Sequence, residues 1–294
     1  MDNILFIVNP VAGGGKAKDL IPLIRETMDR YKKHYDIVLT RKPKEAIVIA
    51  EGKAEEYEAV VAVGGDGTVN EVSKGLINKG KGTLGILPGG TGNDMARTLG
   101  IPNNPVEAME ILNKGYKKFI DVGNVNGHKF INISSIGFDA EVVANNVNIK
   151  RIVKSGISYA ISVIYTLFSF KNKKVTITIG DKLIEEEIIL LAIGNGRYYG
   201  GGMSILPMAI VDDGLFHICV VSKIGKLKLL YLFPTIFKGT HIKYTEYVRI
   251  YQGNRIKVSF ENPLHLNIDG ELTSVEGEIE FSLERNKLEV IYGK

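Results

Sequence analysis

The eight residues Gly64-Gly65-Asp66-Gly67-Thr68-Val69-Asn70-Glu71 combine three glycines, a carboxylate and a helix start within one short stretch. An apolar run, Ala59 to Val63, precedes them and reads as a buried strand, while Val72, Leu76 and Ile77 follow at helical spacing. Glycines let a backbone come close to an anionic group, and a helix N-terminus offers unpaired N–H groups to phosphate. A tight strand-to-helix turn without a ligand would use the same residue types, so the neighbouring motifs must decide.

Two further turns of this kind lie nearby. Ile4 to Val8 ends in Asn9-Pro10 and then Ala12-Gly13-Gly14-Gly15-Lys16, and Leu84 to Leu87 ends in Pro88-Gly89-Gly90-Thr91-Gly92-Asn93-Asp94. Neither familiar phosphate fingerprint fits. A Walker A loop needs glycine where Pro10 stands and Ser or Thr where Ala17 stands, and a G-x-G-x-x-G turn meets Lys18 at its third glycine. Downstream, Asp212-Asp213-Gly214 and Asp269-Gly270-Glu271 read locally as hairpin turns. A glycine between two carboxylates can also aim one of them into a cleft.

The elements that must hold these turns alternate in the first part of the chain. Strands at Ile4–Val8, Tyr35–Thr40, Ala59–Val63 and Leu84–Leu87 are separated by helical patterns, which implies a doubly wound parallel sheet. Ligands of such sheets sit at the carboxyl ends of the strands, where all three glycine turns occur. After Ile120-Asp121-Val122-Gly123 short β-rich runs dominate, among them Phe130–Ser134, Gly277–Leu283 and Leu288–Ile291. The fold class expected is therefore α/β plus all-β. A nucleotide-binding domain spans residues 1–124, with the C-terminal strand free to return to it, and an antiparallel β-sandwich spans 125–294.

Two helical patterns interrupt the second region. Ile157 to Phe168 reads as a packing helix. Lys223 to Lys238 mixes lysines with bulky apolar residues and reads as a packing helix or as an element lying on a membrane surface.

Composition narrows the function. With 294 residues and a net charge of +4 from 37 basic and 33 acidic side chains, the chain can bury a large core and gives no argument for nucleic acid. A single cysteine, Cys219, excludes intramolecular disulfides and thiolate clusters, and the five histidines show no metal-ligand spacing. The start of the chain lacks a signal-peptide pattern, and the stretch Ile157 to Phe170 is too short and too polar to span a bilayer, so a cytoplasmic location is expected.

Taken together, Asn9 to Lys16, Gly64 to Glu71, Pro88 to Asp94, Val211-Asp212-Asp213-Gly214-Leu215 and Asp269-Gly270-Glu271 resemble the diacylglycerol kinase catalytic-domain family over essentially the whole chain. These are soluble bacterial lipid kinases, similar to sphingosine and ceramide kinases and more distantly to NAD kinases. The resemblance implies ATP and Mg²⁺ as cofactors and a lipid hydroxyl as acceptor, diacylglycerol first, met by peripheral contact with a membrane. It leaves a homodimer open.

It also implies site residues. ATP would be bound by Asn9, Pro10, Val11, Ala12 and Gly13, by Thr40, by Gly65, Asp66, Gly67, Thr68, Val69, Asn70 and Glu71, and by Thr91. Asp66 would serve the catalytic metal or the phosphate–metal network. Asp94, Asp121 and Asp213 would join an aspartate–water–Mg²⁺ network, with Asp213 and the carbonyls of Ile210 and Leu215 as ligands. Asp269 is the first candidate for general base and Glu271 the second. Gly194 to Met203 resembles the family's glycine-rich segment, with Tyr198 and Tyr199 lining an apolar approach. The alternatives are a kinase for a soluble acceptor, as in NAD kinases, and a nucleotide-binding regulator with a decayed site. The latter should have lost Asp66, Asp94 or the Asp269/Glu271 pair, and none is lost.

Overall fold

In a computed structural model that describes residues 3–150, 162, 165–167 and 169–294, the chain is built on one long mixed sheet. Strands β1 (Asn3–Val8), β2 (His34–Leu39), β3 (Ala59–Gly64) and β4 (Thr83–Pro88) pair in parallel in the order β2-β1-β3-β4. Every residue of β3 and β4 is buried, as expected of parallel strands covered on both faces. Helices α1 (Lys16–Asp19), α2 (Ile21–Arg30), α3 (Glu45–Lys53), α4 (Asp66–Lys79), α5 (Asp94–Thr98) and α6 (Pro105–Lys114) connect and cover them.

Beyond β4 the sheet turns antiparallel. It continues through β5 (Lys117–Val125), β6 (His128–Phe130), β7 (Ile133–Gly137), helix α7 (Phe138–Lys150), β8 (Lys173–Ile179), β9 (Lys182–Gly194), β10 (Phe216–Ser222), β11 (Val248–Gly253), β12 (Arg255–Ser259), β13 (Leu264–Ile268), β14 (Glu271–Val275) and β15 (Glu278–Ile291). The expected α/β part and β-sandwich are both present. A three-phenylalanine cluster, Phe130, Phe216 and Phe281, fills the sandwich core.

Two expectations need correction. Gly277–Leu283 and Leu288–Ile291 are one strand, β15, which pairs β12 at one end and β4 at the other and shifts register between Glu284 and Leu288. Its C-terminal half thereby returns to the parallel strands. Phe130–Ser134 is not one strand: β6 ends at Phe130 and β7 begins at Ile133. Helix α7 had no counterpart in the sequence reading, and the helical pattern from Ile157 to Phe168 falls largely outside the described residues. Lys226–Leu232 is helical and continues into a 3₁₀ segment, Phe233–Lys238.

Candidate active site

The three glycine turns come together backbone to backbone. Gly13, at φ +62°, lies so close to Gly89 that a Cβ would run into the Gly89 carbonyl, and a Cβ on Gly90 would overlap the Gly65 Cα. Side chains at these points would force the turns apart, which is why the sequence repeats glycine there. Asn9 ties the first turn to the central one, with Nδ2 donating to Thr68 Oγ1 at 3.2 Å and Oδ1 accepting the Val11 amide at 3.3 Å. In the third turn Asn93 accepts the Gly90 amide and donates back to the Gly90 carbonyl, both at 3.1 Å, which pushes Thr91 to an exposed tip.

Helix α4 starts inside this cluster. Gly65 is its extended N-cap residue, and the amides of Thr68 and Val69 bond back to the Gly65 carbonyl. The first-turn amides at Asp66 and Gly67 have no partner within the helix and point outward, which suits an anion. Thr40 stands at the end of β2, its amide on the Val8 carbonyl at 2.9 Å. Glu71 accepts the Lys44 amide at 3.0 Å and so holds the start of α3.

The acidic residues divide into two groups by direct contact. Asp66 Oδ1 accepts the amides of Asp94 (2.6 Å) and Met95 (3.3 Å), capping α5. Asp94, in turn, accepts the amides of Gly201 (2.8 Å) and Gly202 (2.7 Å) and pins the glycine-rich loop. Burial raises the Asp94 pKa, and the neighbouring Asp66 charge adds to it.

The second group is centred on Asp121, fully buried at the junction of the two parts. Its Oδ2 accepts the Gly214 amide at 2.7 Å and its Oδ1 the Asn286 amide at 2.8 Å. Next to it, Asp213 accepts the Leu215 amide at 3.0 Å and faces His217 Nε2 at 3.1 Å. Asp213 and the carbonyls of Ile210 and Leu215 thus belong to one turn. Such an all-oxygen set, with a single carboxylate, fits a hard cation that keeps several waters. Among the described residues, no cluster of three or more His, Cys, Asp or Glu forms a metal site.

Asp269 and Gly270, at φ +48° and +90°, close the two-residue hairpin between β13 and β14, as the Asp-Gly pair suggests. The Asp269 carboxylate accepts the amides of Ile131 (2.9 Å), Asn132 (3.1 Å) and Ile133 (2.9 Å). Burial lifts its pKa to about 6, against the pull of those amides and of Lys74. Glu271 reaches the other half of the molecule: its Oε1 accepts Asn70 Nδ2 at 3.1 Å and Lys74 Nζ at 2.7 Å. Lys74 was not singled out in the sequence, although it lies four residues after Asn70 and so on the same helix face.

A cleft of about 450 Å³ lies between these elements, lined by Asp66, Asn70, Thr91, Asp94, Asn132 and Asp269 among others. Asp66 Oδ2 and Glu271 Oε2 accept no hydrogen bond from the described residues. Asn9 to Gly13, Thr40, Thr68 and Glu271 are not among the residues that line this cleft; Asn9 is tied to Thr68, and Glu271 to the lining residue Asn70.

The sequence and the fold are similar to those of known proteins. Residues 3–125 match the diacylglycerol kinase catalytic domain, and residues 132–291 match the YegS C-terminal NAD kinase beta sandwich-like domain. A diacylglycerol kinase of Bacillus subtilis (strain 168) is 31% identical over 223 residues, covering 75% of this chain and 73% of that protein. The chain belongs to the diacylglycerol kinase catalytic-domain family. A diacylglycerol kinase of Staphylococcus carnosus is 27% identical over 267 residues, 90% of this chain and 87% of that one. Among solved structures, a diacylglycerol kinase from Bacillus anthracis has a TM-score of 0.75 at 26% identity, covering 99% of this chain and 97% of its own. An NAD kinase from Archaeoglobus fulgidus, at 13% identity and TM-score 0.54, shares the fold.

Proposed function

We propose that this protein transfers the γ-phosphoryl group of ATP to the hydroxyl of a membrane lipid, diacylglycerol in the first place, giving phosphatidic acid and ADP. The observation that carries this reading is the junction of Asn70, Lys74 and Glu271, which brings the carboxylate of one half to the nucleotide motif of the other.

The residues divide the work. The α4 N-terminus and the Gly13, Gly65 and Gly90 backbones cradle the triphosphate. Asp66 Oδ2 faces the cleft and would hold Mg²⁺, which when bound offsets the charge between this carboxylate and the phosphates. Asp213, with the Ile210 and Leu215 carbonyls, would hold a second, structural cation away from the reacting atoms.

For the proton acceptor, the geometry favours Glu271 over Asp269. Both Asp269 oxygens are engaged by the three amides at Ile131–Ile133, so Asp269 shapes the cleft. Glu271 keeps Oε2 open while Lys74 and Asn70 steady Oε1. As the acceptor oxygen bonds to the γ-phosphorus, the bond to the β-phosphate oxygen breaks and the hydroxyl proton passes to Glu271.

Contact with the membrane would use Leu227 (86% exposed), Leu230, Tyr231 and Phe237, which stand out among the lysines 226, 228 and 238. Apolar side chains entering a bilayer beside lysines that meet lipid phosphates would bind peripherally. Among the described residues no helix is long and apolar enough to cross a membrane. The test is incubation of the purified protein with γ-labelled ATP and a total lipid extract. Label entering the organic phase supports the reading, and label confined to the aqueous phase overturns it.

A further inference from the structure

A pocket of about 400 Å³ opens between the residues just before β8 and the link from β10 to the helix Lys226–Leu232. None of the residues lining it lines the cleft. Its floor is apolar, made by Phe138, Phe170, Ile189, Ile224 and Leu229, with the Phe138 and Phe170 rings edge to face at 5.8 Å. Its rim is basic, carrying Lys171, Lys223 and Lys226 together with the Asn172 carboxamide. Lys226 is followed directly by the exposed Leu227, so the pocket opens onto the patch that would meet the membrane.

The charges on this rim do not cancel. Glu187 accepts Lys223 Nζ at 3.0 Å and Asn172 Nδ2 at 3.4 Å, and the Lys223 contact foremost holds its pKa below the usual range. Lys174 lies close enough to Glu187 to add to that effect. Lys173 is committed elsewhere, to Glu141 at 3.1 Å, with its ammonium 5.8 Å from the centre of the Phe170 ring. Lys171, Lys174 and Lys223 alone therefore outnumber Glu187. A neutral glyceride would leave these ammonium groups without an anion, and a free cation would be repelled by them. A phosphate suits the rim, because lysine binds phosphate as a point charge, and carbon attached to that phosphate can cover the aromatic floor.

We infer that this pocket binds the headgroup phosphate of an anionic phospholipid, with the glycerol carbons on the Phe138–Phe170 floor. This lipid is an anchor and not the acceptor, since it sits apart from the cleft where phosphate is transferred. The inference rests on the membrane contact in the lipid kinase reading and adds a defined site for one lipid headgroup. The volume falls in the range of pockets that enclose small ligands. A lysine at an anionic surface strengthens attachment about fivefold, so Lys171 and Lys223 together account for at least tenfold, Lys223 counting for less because Glu187 holds it.

The test is titration calorimetry of the full chain with dihexanoylphosphatidylglycerol below its micelle concentration, without ATP or acceptor. The expected result is saturable binding to one site, weakened at least tenfold in the double variant Lys171→Gln/Lys223→Gln. Lys238→Gln, which lies on the membrane patch but not on this rim, should change the Kd by less than about twofold. Glu187→Gln should tighten binding, because the carboxylate that competes for Lys223 is gone. Dihexanoylphosphatidylcholine, whose headgroup has no net charge, should bind at least tenfold more weakly than the anionic lipid. That comparison uses the wild type alone and decides the matter even if the double variant does not fold. Absence of saturable binding, equal binding of the two lipids, or a folded double variant with an unchanged Kd would overturn the inference. So would inorganic phosphate that binds as tightly as the lipid, since the floor would then contribute nothing. Any of these leaves the kinase reading intact. Conversely, saturable binding in a protein that labels no lipid from γ-labelled ATP would sink the kinase reading and uphold the anchor site.

Discussion

Replacing Asp94 with alanine tests the link that holds the glycine-rich loop to the nucleotide turns. The carboxylate is 3% exposed and accepts two amides, from Gly201 and Gly202, at 2.8 and 2.7 Å. A hydrogen bond to an ionised group contributes about 1.5–3 kcal/mol, so the pair amounts to about 3–6 kcal/mol. Against it stands the cost of holding a charge out of water beside Asp66, which is what raises the Asp94 pKa. Removing the side chain relieves that cost but strands both amides, leaving a net loss of about 2–4 kcal/mol. At roughly 2 °C per kcal/mol for a chain of this size, Tm should fall by about 4–8 °C. Hydrogen exchange at Gly201 and Gly202 should accelerate in the same variant. Asp94→Asn keeps one acceptor and turns an NH₂ toward the second amide, so its loss should be intermediate. A Tm within a degree of wild type, with exchange unchanged at both glycines, would refute the reasoning.

Three further outcomes follow from the same geometry. Gly90→Ala drives a methyl into the Gly65 backbone and should lower ATP affinity at least tenfold by titration calorimetry. Gly225→Ala, where the methyl meets nothing, should leave that affinity unchanged. Glu271→Gln should cut kcat by about 10²–10⁴ with the Kd for ATP within about twofold, and near-normal turnover would remove Glu271 from the proton-accepting role. Burial holds the Asp269 pKa at about 6 in the folded chain, above the ordinary aspartate value of 3.8. Its contribution to stability is therefore fully present below about pH 4 and is lost as pH rises through 6. The Tm of wild type relative to Asp269→Asn should accordingly decline between about pH 4 and 6.5 and then level off, and a constant difference would exclude the shift.

Most of the parallel half was legible because β1, β3 and β4 are apolar runs that lead into glycine turns, whereas β2 carries His34 and Asp36 and ends without one. The D-G-E hairpin was legible for a similar local reason, since Asp-Gly suits the left-handed pair that closes it. What escaped was settled by distant contacts. The run Phe130–Ser134 looks like one strand, but the amides at Ile131, Asn132 and Ile133 turn to the Asp269 carboxylate, and pairing breaks there. The two halves of β15 read as separate strands because the register shift after Glu284 hides their continuity. Choosing between Asp269 and Glu271 as base depended on which oxygens were already occupied, and no spacing rule records that. Lys74 was missed for the same reason: a lysine on a helix is ordinary until its neighbours are known.

The central claim is that this cleft moves phosphate from ATP to a lipid hydroxyl. Its most direct measurement gives the purified chain γ-labelled ATP, Mg²⁺ and diacylglycerol in mixed micelles and identifies the labelled product. The account predicts labelled phosphatidic acid from the wild type, reduced to near background in Glu271→Gln. A wild-type protein that binds ATP yet labels no lipid, or a Glu271→Gln variant that labels it as fast as wild type, would contradict it.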